Sequence, residues 1–514
     1  MPNYQLTLPL YGNYCPNRYA ISMSIIKKLA SQTAIYGLSS IFGRFLNYLL
    51  VPLYTYYFSA AEYGVVSEFY AYAGFFSVLL LFGFETGYFR FRDKAQLKHD
   101  VAYSTALMFV LLINLLFLGI IVIANNQVSA SLNYSTHPEY VLCFSVILTL
   151  DAMASIPFAR LRAENKPFLF AGIKIIEILI TVLLSLFFIV YCPKELASHP
   201  ESWVKDLYKP EIGITYIFLA NLIASAFKFI VLCPQLLGLR WGFDKALFRK
   251  MLRYSLPMVV IGFAGIINEM LDRALLKYLL PYDLKTNMQM LGIYSACYKL
   301  SILMTLFIQA FRFAAEPFFF AYADKDDAKE VYAKVLKYFV IFCVFIFLLV
   351  TLFIDFFKYF LGEEFRSGLT AVPILLMANL CLGIYVNLSI WYKLTDKTLL
   401  GSWVSIAGAL ISVGLNIWWI PLLGYMGSAW ATLVCYFFMT LVSYLLGRHY
   451  YPVMYDLKRI LGYIGLGIGL FCVQEHIPQY FSWQKPWEIS GLLLATYLLV
   501  VILFEKSYKS QAII

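Results

Sequence analysis

The sequence predicts an all-α polytopic membrane protein of about fourteen transmembrane helices, arranged as two pseudo-symmetric six-helix lobes plus two C-terminal helices. Three observations carry this. Of 514 residues, 61% are hydrophobic and 14% charged, with mean hydropathy +0.73; a water-soluble chain of this size could not cover its surface with so little polar material. Apolar runs recur at the length of roughly 20 residues that a helix needs to cross a bilayer. The basic residues between those runs alternate in density, as the positive-inside rule requires.

The runs lie near 34–58, 65–87, 101–125, 139–159, 167–191, 212–237, 255–280, 291–320, 335–357, 368–392, 399–420, 424–447, 459–475 and 487–504. With the N-terminus placed inside, twenty-six of the 40 Lys and Arg fall in inside segments and eight in outside loops. The outside loops near Ser59, Ser129 and Leu422 carry none. This alternation predicts an even number of spans with both termini cytoplasmic. No loop is long enough to be a domain. The inside connection after the sixth span, GLRWGFDKALFRKMLRY at 238–254, reads as a basic amphipathic helix lying on anionic headgroups.

An internal repeat divides the chain. RFLNYLLVPLY from Arg44 is echoed by RALLKYLLPY from Arg273, Gly64-Val65-Val66-Ser67 by Gly292-Ile293-Tyr294-Ser295, and Arg162-Ala163-Glu164-Asn165-Lys166 by Lys393-Leu394-Thr395-Asp396-Lys397. A shift of about 230 residues thus moves span 1 onto span 7. Six spans per half is an even number, so the halves share one orientation and an axis along the membrane normal. The division is a cytoplasmic segment 1–30, an N-lobe 31–237, a linker helix 238–254, a C-lobe 255–447, and spans 13 and 14 with a cytoplasmic tail in 448–514.

Charges inside the spans are the functional candidates, because a central arginine costs at least about 2.5–3.5 kcal/mol to insert and avoids lipid. Six basic residues lie there: Arg44, Lys174, Lys228, Arg273, Lys299 and Arg312. Arg44 has no acidic residue three or four positions away; a partner must come from another helix, such as Glu68. It is the first choice for an anion site, with Asn47 one turn on and its repeat mate Arg273 second. Lys174 with Glu177, Glu269 with Arg273, and Arg312 with Glu316 are spaced to neutralise each other on one helix face, and Lys228 is near enough to the inside surface to snorkel. The five His lie in loops or near span ends, so any ion coupling falls to carboxylates. Glu68 and Asp151, without a basic neighbour on their own helices, lead; Glu177, Asp272 and Glu316 follow. A buried unpaired carboxyl takes up protons near neutrality, whereas pairing to a cation on another helix would make each structural.

Several classes are excluded. The nine Cys are scattered singly with no CxxC and no metal spacing, which reads as apolar packing. No Walker loop, HExxH or nucleophile elbow appears, so the chain is expected to be neither an ATPase nor another enzyme, and to need no cofactor or metal. The +10 charge follows membrane topology rather than a nucleic-acid footprint. The first 22 residues lack a basic n-region before an apolar core, so they are not a secretory signal, and Met23-Ser24-Ile25-Ile26-Lys27-Lys28 reads as a natural start. An integral-membrane glycosyltransferase or polymerase would need a sizeable outside loop bearing carboxylates, and a scaffold would not need charges deep in so many spans.

Six segments, in order, carry a resemblance: SQTAIYGLSSIFGRFLNYLLVPLYT, KMLRYSLPMVVIGF, LDRALLKYLL followed by LGIYSACYKLS, AFRFAAEPFFFAYA, VPILLMANLCLGIYVNLSIWYKLTDKT and GSAWATLV. From Met23 to about Arg459 the chain resembles the polysaccharide transporters of the multidrug/oligosaccharidyl-lipid/polysaccharide exporter superfamily, the group that contains O-antigen flippases. The resemblance implies a V-shaped, MATE-like fold with a central cavity. It also implies a lipid-linked oligosaccharide cargo on undecaprenyl pyrophosphate, in the bacterial cytoplasmic (inner) membrane, with membrane lipids and the polymerase and glycosyltransferases of lipopolysaccharide or capsule biosynthesis as partners. Arg44, Asn47, Lys174, Arg273, Lys299 and Arg312 would then face the pyrophosphate and glycan. A cation-coupled multidrug exporter of the same fold is the alternative; it would prefer an acidic cavity, against the six in-span cations.

Overall fold

The computed structural model describes residues 41–92, 99–236, 242–480 and 486–511. Among these no strand occurs, and thirteen helices are long and apolar enough to cross a membrane. The expected first span begins outside the described residues; its described part is helical over 41–48 and again in α1 (Leu50–Tyr57). Pro52 explains the interruption, since it lacks the N–H that would bond the Tyr48 carbonyl.

Span 2 is built as α2 (Ala60–Leu81) and α3 (Phe84–Arg92). Ser59 starts α2 through a capping box: its backbone N–H donates to Glu62 at 2.9 Å, and its hydroxyl accepts from the Glu62 N–H at 3.4 Å. Two successive left-handed residues, Phe82 (φ 49°) and Gly83 (φ 68°), end it. The N-lobe continues as α4 (His99–Ser131), α5 (Pro138–Ala163), α6 (Pro167–Leu186) and α7 (Thr215–Leu232). The C-lobe follows as α8 (Lys245–Leu279), α9 (Leu284–Leu300), α10 (Ile302–Tyr322), α11 (Ala328–Leu352), α12 (Val372–Leu388), α13 (Thr398–Leu423) and α14 (Tyr425–Tyr450). The appended helices α15 (Leu457–Tyr480) and α16 (Pro486–Gln511) lie against α11, where Lys337 pairs with Glu505 at 2.5 Å and the Tyr497 hydroxyl donates to the Ile341 carbonyl at 2.8 Å.

Two features differ from expectation. Residues 245–254 are not a separate surface helix. Asp244 caps α8 by accepting from the N–H groups of Ala246 (2.8 Å) and Leu247 (2.9 Å), and the helix runs unbroken for 35 residues, through Pro257. The single span expected over 291–320 is divided at Ser301, whose hydroxyl donates to the Tyr298 carbonyl at 2.7 Å and accepts from Asn379 at 3.0 Å. A serine that satisfies itself on nearby backbone competes with the helical ladder.

The repeat has a physical meaning. Gly64 on α2 and Gly292 on α9, the glycines that the repeat aligns, lie face to face. A Cβ at Gly292 would sit 1.8 Å from the Ala60 carbonyl oxygen, and one at Gly64 would sit 2.1 Å from that of Met288. Only glycine permits backbone to meet backbone here. The lobes therefore close on each other at the end of the bundle where Ser59 joins α1 to α2, called below the Ser59 end.

Candidate functional site

A cavity of about 700 Å³ lies between the lobes. The N-lobe contributes Arg44 and Asn47 from residues 41–48, Tyr54 of α1, Ser67 and Tyr70 of α2, Thr181 of α6 and Asn221 of α7. The C-lobe contributes Glu269 and Arg273 of α8, Ser295, Tyr298 and Lys299 of α9, Gln309 and Arg312 of α10, Asn379 of α12 and Tyr436 of α14.

Five of the six residues expected to face an anion line it: Arg44, Asn47, Arg273, Lys299 and Arg312. Lys174 does not. It pairs with Glu177 at 3.2 Å and lies over the Phe158 ring, 4.8 Å from its centroid. Arg273 is held in place. Its guanidinium lies 4.2 Å from the centroid of the Tyr298 ring, donates to the Glu269 carbonyl at 2.6 Å, and is 3.5 Å from the Asp272 carboxylate. Arg44, Lys299 and Arg312 form no ion pair with a described residue. Among the described residues, Glu269 is the one acidic side chain in the lining, against four cations. Enclosed by low-dielectric walls, such a surface concentrates anions.

The pairing expected along single helices is partly replaced by pairing between helices. Glu316 pairs with Lys393 rather than with Arg312. Asp272 accepts from the Tyr294 hydroxyl at 2.7 Å and from the Arg273 backbone N–H at 2.8 Å. Lys228 does not snorkel; it is 2% exposed and donates to Asp151 (2.7 Å) and to Glu177. Its hydrocarbon stem is too deeply packed to carry the ammonium to the surface, and two carboxylates compensate the charge. Glu68 does not meet Arg44. Its carboxylate accepts from Lys277 at 2.9 and 3.1 Å, from Tyr72 at 2.5 Å and from Tyr134 at 2.5 Å. Glu68 and Asp151 are thus paired to cations on other helices, the second of the two expectations.

Lys277 is the residue that sequence reasoning misplaced. At the end of the 255–280 run it counts among the eight outside-loop cations, but α8 buries it at 2% exposure, with a third hydrogen bond to the Leu132 carbonyl at 2.6 Å. Its position four residues after Arg273 was the available signal. This pair joins α2 of one lobe to α8 of the other. Beside it, Glu364 accepts from the Ala60 N–H at 3.1 Å and from Gln289 at 3.1 Å, and the Gly362 N–H donates to Thr55 at 3.1 Å. The Ser59 end is sealed by these contacts together with the Gly64–Gly292 crossing.

A family model described as "Polysaccharide biosynthesis protein" matches residues 29–323, more than half of the chain. The chain belongs to this polysaccharide biosynthesis family. Among solved structures, it is similar to the lipid II flippase MurJ in an inward closed conformation, with TM-score 0.71 and 15% identity over 93% of this chain and 99% of that one. It is similar to a multidrug resistance MATE family transporter of the MOP superfamily, inward-facing, with TM-score 0.61 and 12% identity over 81% and 94%. An outward-facing MATE structure gives TM-score 0.56 and 14% identity over 82% and 95%. At these identities the likeness is one of fold. No curated protein sequence matches the chain. This member of the polysaccharide biosynthesis family is a multi-pass membrane protein with the fold of flippases and MATE transporters.

Proposed function

We propose that the protein is a flippase that moves a lipid-linked oligosaccharide, carried on undecaprenyl pyrophosphate, from the cytoplasmic to the outer leaflet of the bacterial cytoplasmic membrane, for polysaccharide, O-antigen or capsule synthesis. The observation that supports this best is the interlobe cavity, with three cations lacking an ion-pair partner among the described residues and a fourth, Arg273, positioned by a tyrosine ring. Pyrophosphate oxygens are the acceptors that such groups are built for. Arginine grips them through two parallel N–H donors, and lysine adds a point charge. The polar glycan shares the wet cavity while the polyprenyl tail stays in lipid.

In this reading both termini are cytoplasmic and the Ser59 end faces outward. The seal at that end then keeps the cavity from the outer side until the lobes rock apart, exposing the cargo to the other leaflet. No step of bond making is required, so binding and alternating access account for the activity. A multidrug exporter of cationic drugs fits less well, because one carboxylate among four cations would repel that cargo.

The test is complementation of a strain lacking the protein, with membrane insertion monitored in parallel. Arg44→Ala should stop surface glycan export while leaving the protein in the membrane. Arg44→Lys, which keeps the charge but loses the planar fork, should export at a reduced rate. Wild-type export by Arg44→Ala would reject the anion site.

A further inference from the structure

The two walls of the cavity differ in chemistry. Among the described residues, the C-lobe wall carries Glu269, Arg273, Lys299 and Arg312, whereas the N-lobe wall carries one charge, Arg44, among tyrosines and amides. Most lining tyrosines are already committed to the protein. Tyr48 stacks on Phe360 at 4.3 Å, and Tyr54 hydrogen-bonds Ser185 at 3.1 Å. Tyr63 meets Phe365 edge-on at 5.6 Å, and Tyr436 donates to the Asn268 carbonyl at 3.0 Å.

Tyr70 is the exception. It lines the cavity at 45% exposure, against 7% for Tyr48 and Tyr54, and no described aromatic ring packs on its face. Asn221 of α7, anchored through its Nδ2 to the Ile217 carbonyl at 2.8 Å, lines the same N-lobe side of the cavity as Tyr70.

We infer that Tyr70 and Asn221 form a subsite for a pyranose ring on the N-lobe side of the cavity, across from Arg273, Lys299 and Arg312 of the C-lobe. A sugar ring offers an apolar C–H face and a rim of hydroxyls. An unstacked aromatic face accommodates the first. The second needs both acceptors and donors once it leaves water, which the carbonyl and N–H groups of an amide supply together. The inference rests on the flippase reading and assigns the glycan to the N-lobe wall, so that the cargo spans the gap between that wall and the C-lobe cations.

The experiment measures binding of two probes to the purified full-length protein in lipid nanodiscs: undecaprenyl pyrophosphate alone, and undecaprenyl pyrophosphate bearing one hexose. Wild type should bind the sugar-bearing lipid more tightly. Tyr70→Ala should weaken the sugar-bearing probe by roughly two- to tenfold and Asn221→Ala by roughly tenfold, with the bare lipid unchanged for both. Tyr70→Phe keeps the ring and should lose less than Tyr70→Ala. Equal weakening of both probes, no weakening of either, or equal affinity of wild type for the two lipids overturns the subsite and leaves the anion cavity standing. Failure of wild type to bind either lipid overturns the flippase reading itself, and the subsite with it.

Discussion

The Glu68–Lys277 pair makes the proposed cycle testable at one residue. Both side chains are buried, at 0% and 2% exposure, and they join α2 to α8 across the lobe boundary. Lys277→Met removes the ammonium but keeps the stem volume. Glu68 is then left with the Tyr72 and Tyr134 hydroxyls and no counter-charge. Breaking one partner of a buried pair costs about 3–5 kcal/mol, because an uncompensated charge stays in low dielectric. That cost falls on the state closed at the Ser59 end; once the lobes part, water reaches the carboxylate. At about 1.4 kcal/mol per decade, the equilibrium shifts toward the open state by roughly 10²- to 10³-fold. A cysteine replacing Thr305, which lines the cavity on α10, reports this. Its labelling by a membrane-impermeant maleimide added from outside should rise steeply in Lys277→Met. The double variant Glu68→Leu/Lys277→Met should label as slowly as the parent, since an apolar pair of similar volume replaces a buried ion pair at little cost. Labelling of Lys277→Met no faster than the parent, or of the double variant as fast as the single, refutes the assignment.

Two further perturbations read other parts of the fold. Gly292→Ala places a methyl carbon 1.8 Å from the Ala60 carbonyl oxygen, so α2 and α9 must move apart; the variant should insert normally, label from outside at Thr305→Cys, and export little glycan. Lys228→Met leaves Asp151 and Glu177 without their shared ammonium inside the N-lobe. It should lower the melting temperature of the purified protein by the equivalent of about 3–5 kcal/mol without raising outside labelling.

Helix number and the repeat were legible in the sequence because each rests on a local, periodic property. A span needs a run of apolar residues, and the repeat needs two similar strings. The Gly64–Gly292 correspondence even anticipated a contact, since residues at equivalent positions near a pseudo-two-fold axis meet each other. Arg44, Arg273, Lys299 and Arg312 were legible as cavity residues because a charge in a span has few places to go. Pairing was not. Spacing along one helix favoured Arg312 with Glu316, yet Glu316 meets Lys393 on another element. Distance along a chain says nothing about which helices pack. Lys277 was missed for a related reason: it sits at the end of the 255–280 run and counts there as an outside-loop cation, whereas its cross-lobe carboxylate makes it tolerable in the interior. The subsite around Tyr70 was equally invisible, because forty tyrosines share the sequence and only packing separates a free ring from a stacked one.

The ion pairs in the membrane sort by which lobe their partners belong to, and this sorting carries the mechanism. Lys228 with Asp151 and Glu177 lies within the N-lobe; Arg273 with Asp272 and Lys393 with Glu316 lie within the C-lobe. A pair inside one rigid body persists whichever way the body tilts, so it stabilises the lobe and is silent in the cycle. A pair between bodies holds one arrangement and must break to reach the other. Lys277 with Glu68 is of the second kind, and it stands one helical turn from Arg273, the arginine stacked in the cavity wall. On α8, the proposed anion-binding group and the lock on the Ser59 end therefore share a single stretch of helix. In the flippase reading, an anion drawn onto Arg273 would bear on the same turns of backbone that position Lys277, so cargo occupancy and closure at that end would act on one rigid element rather than through a relay of separate parts.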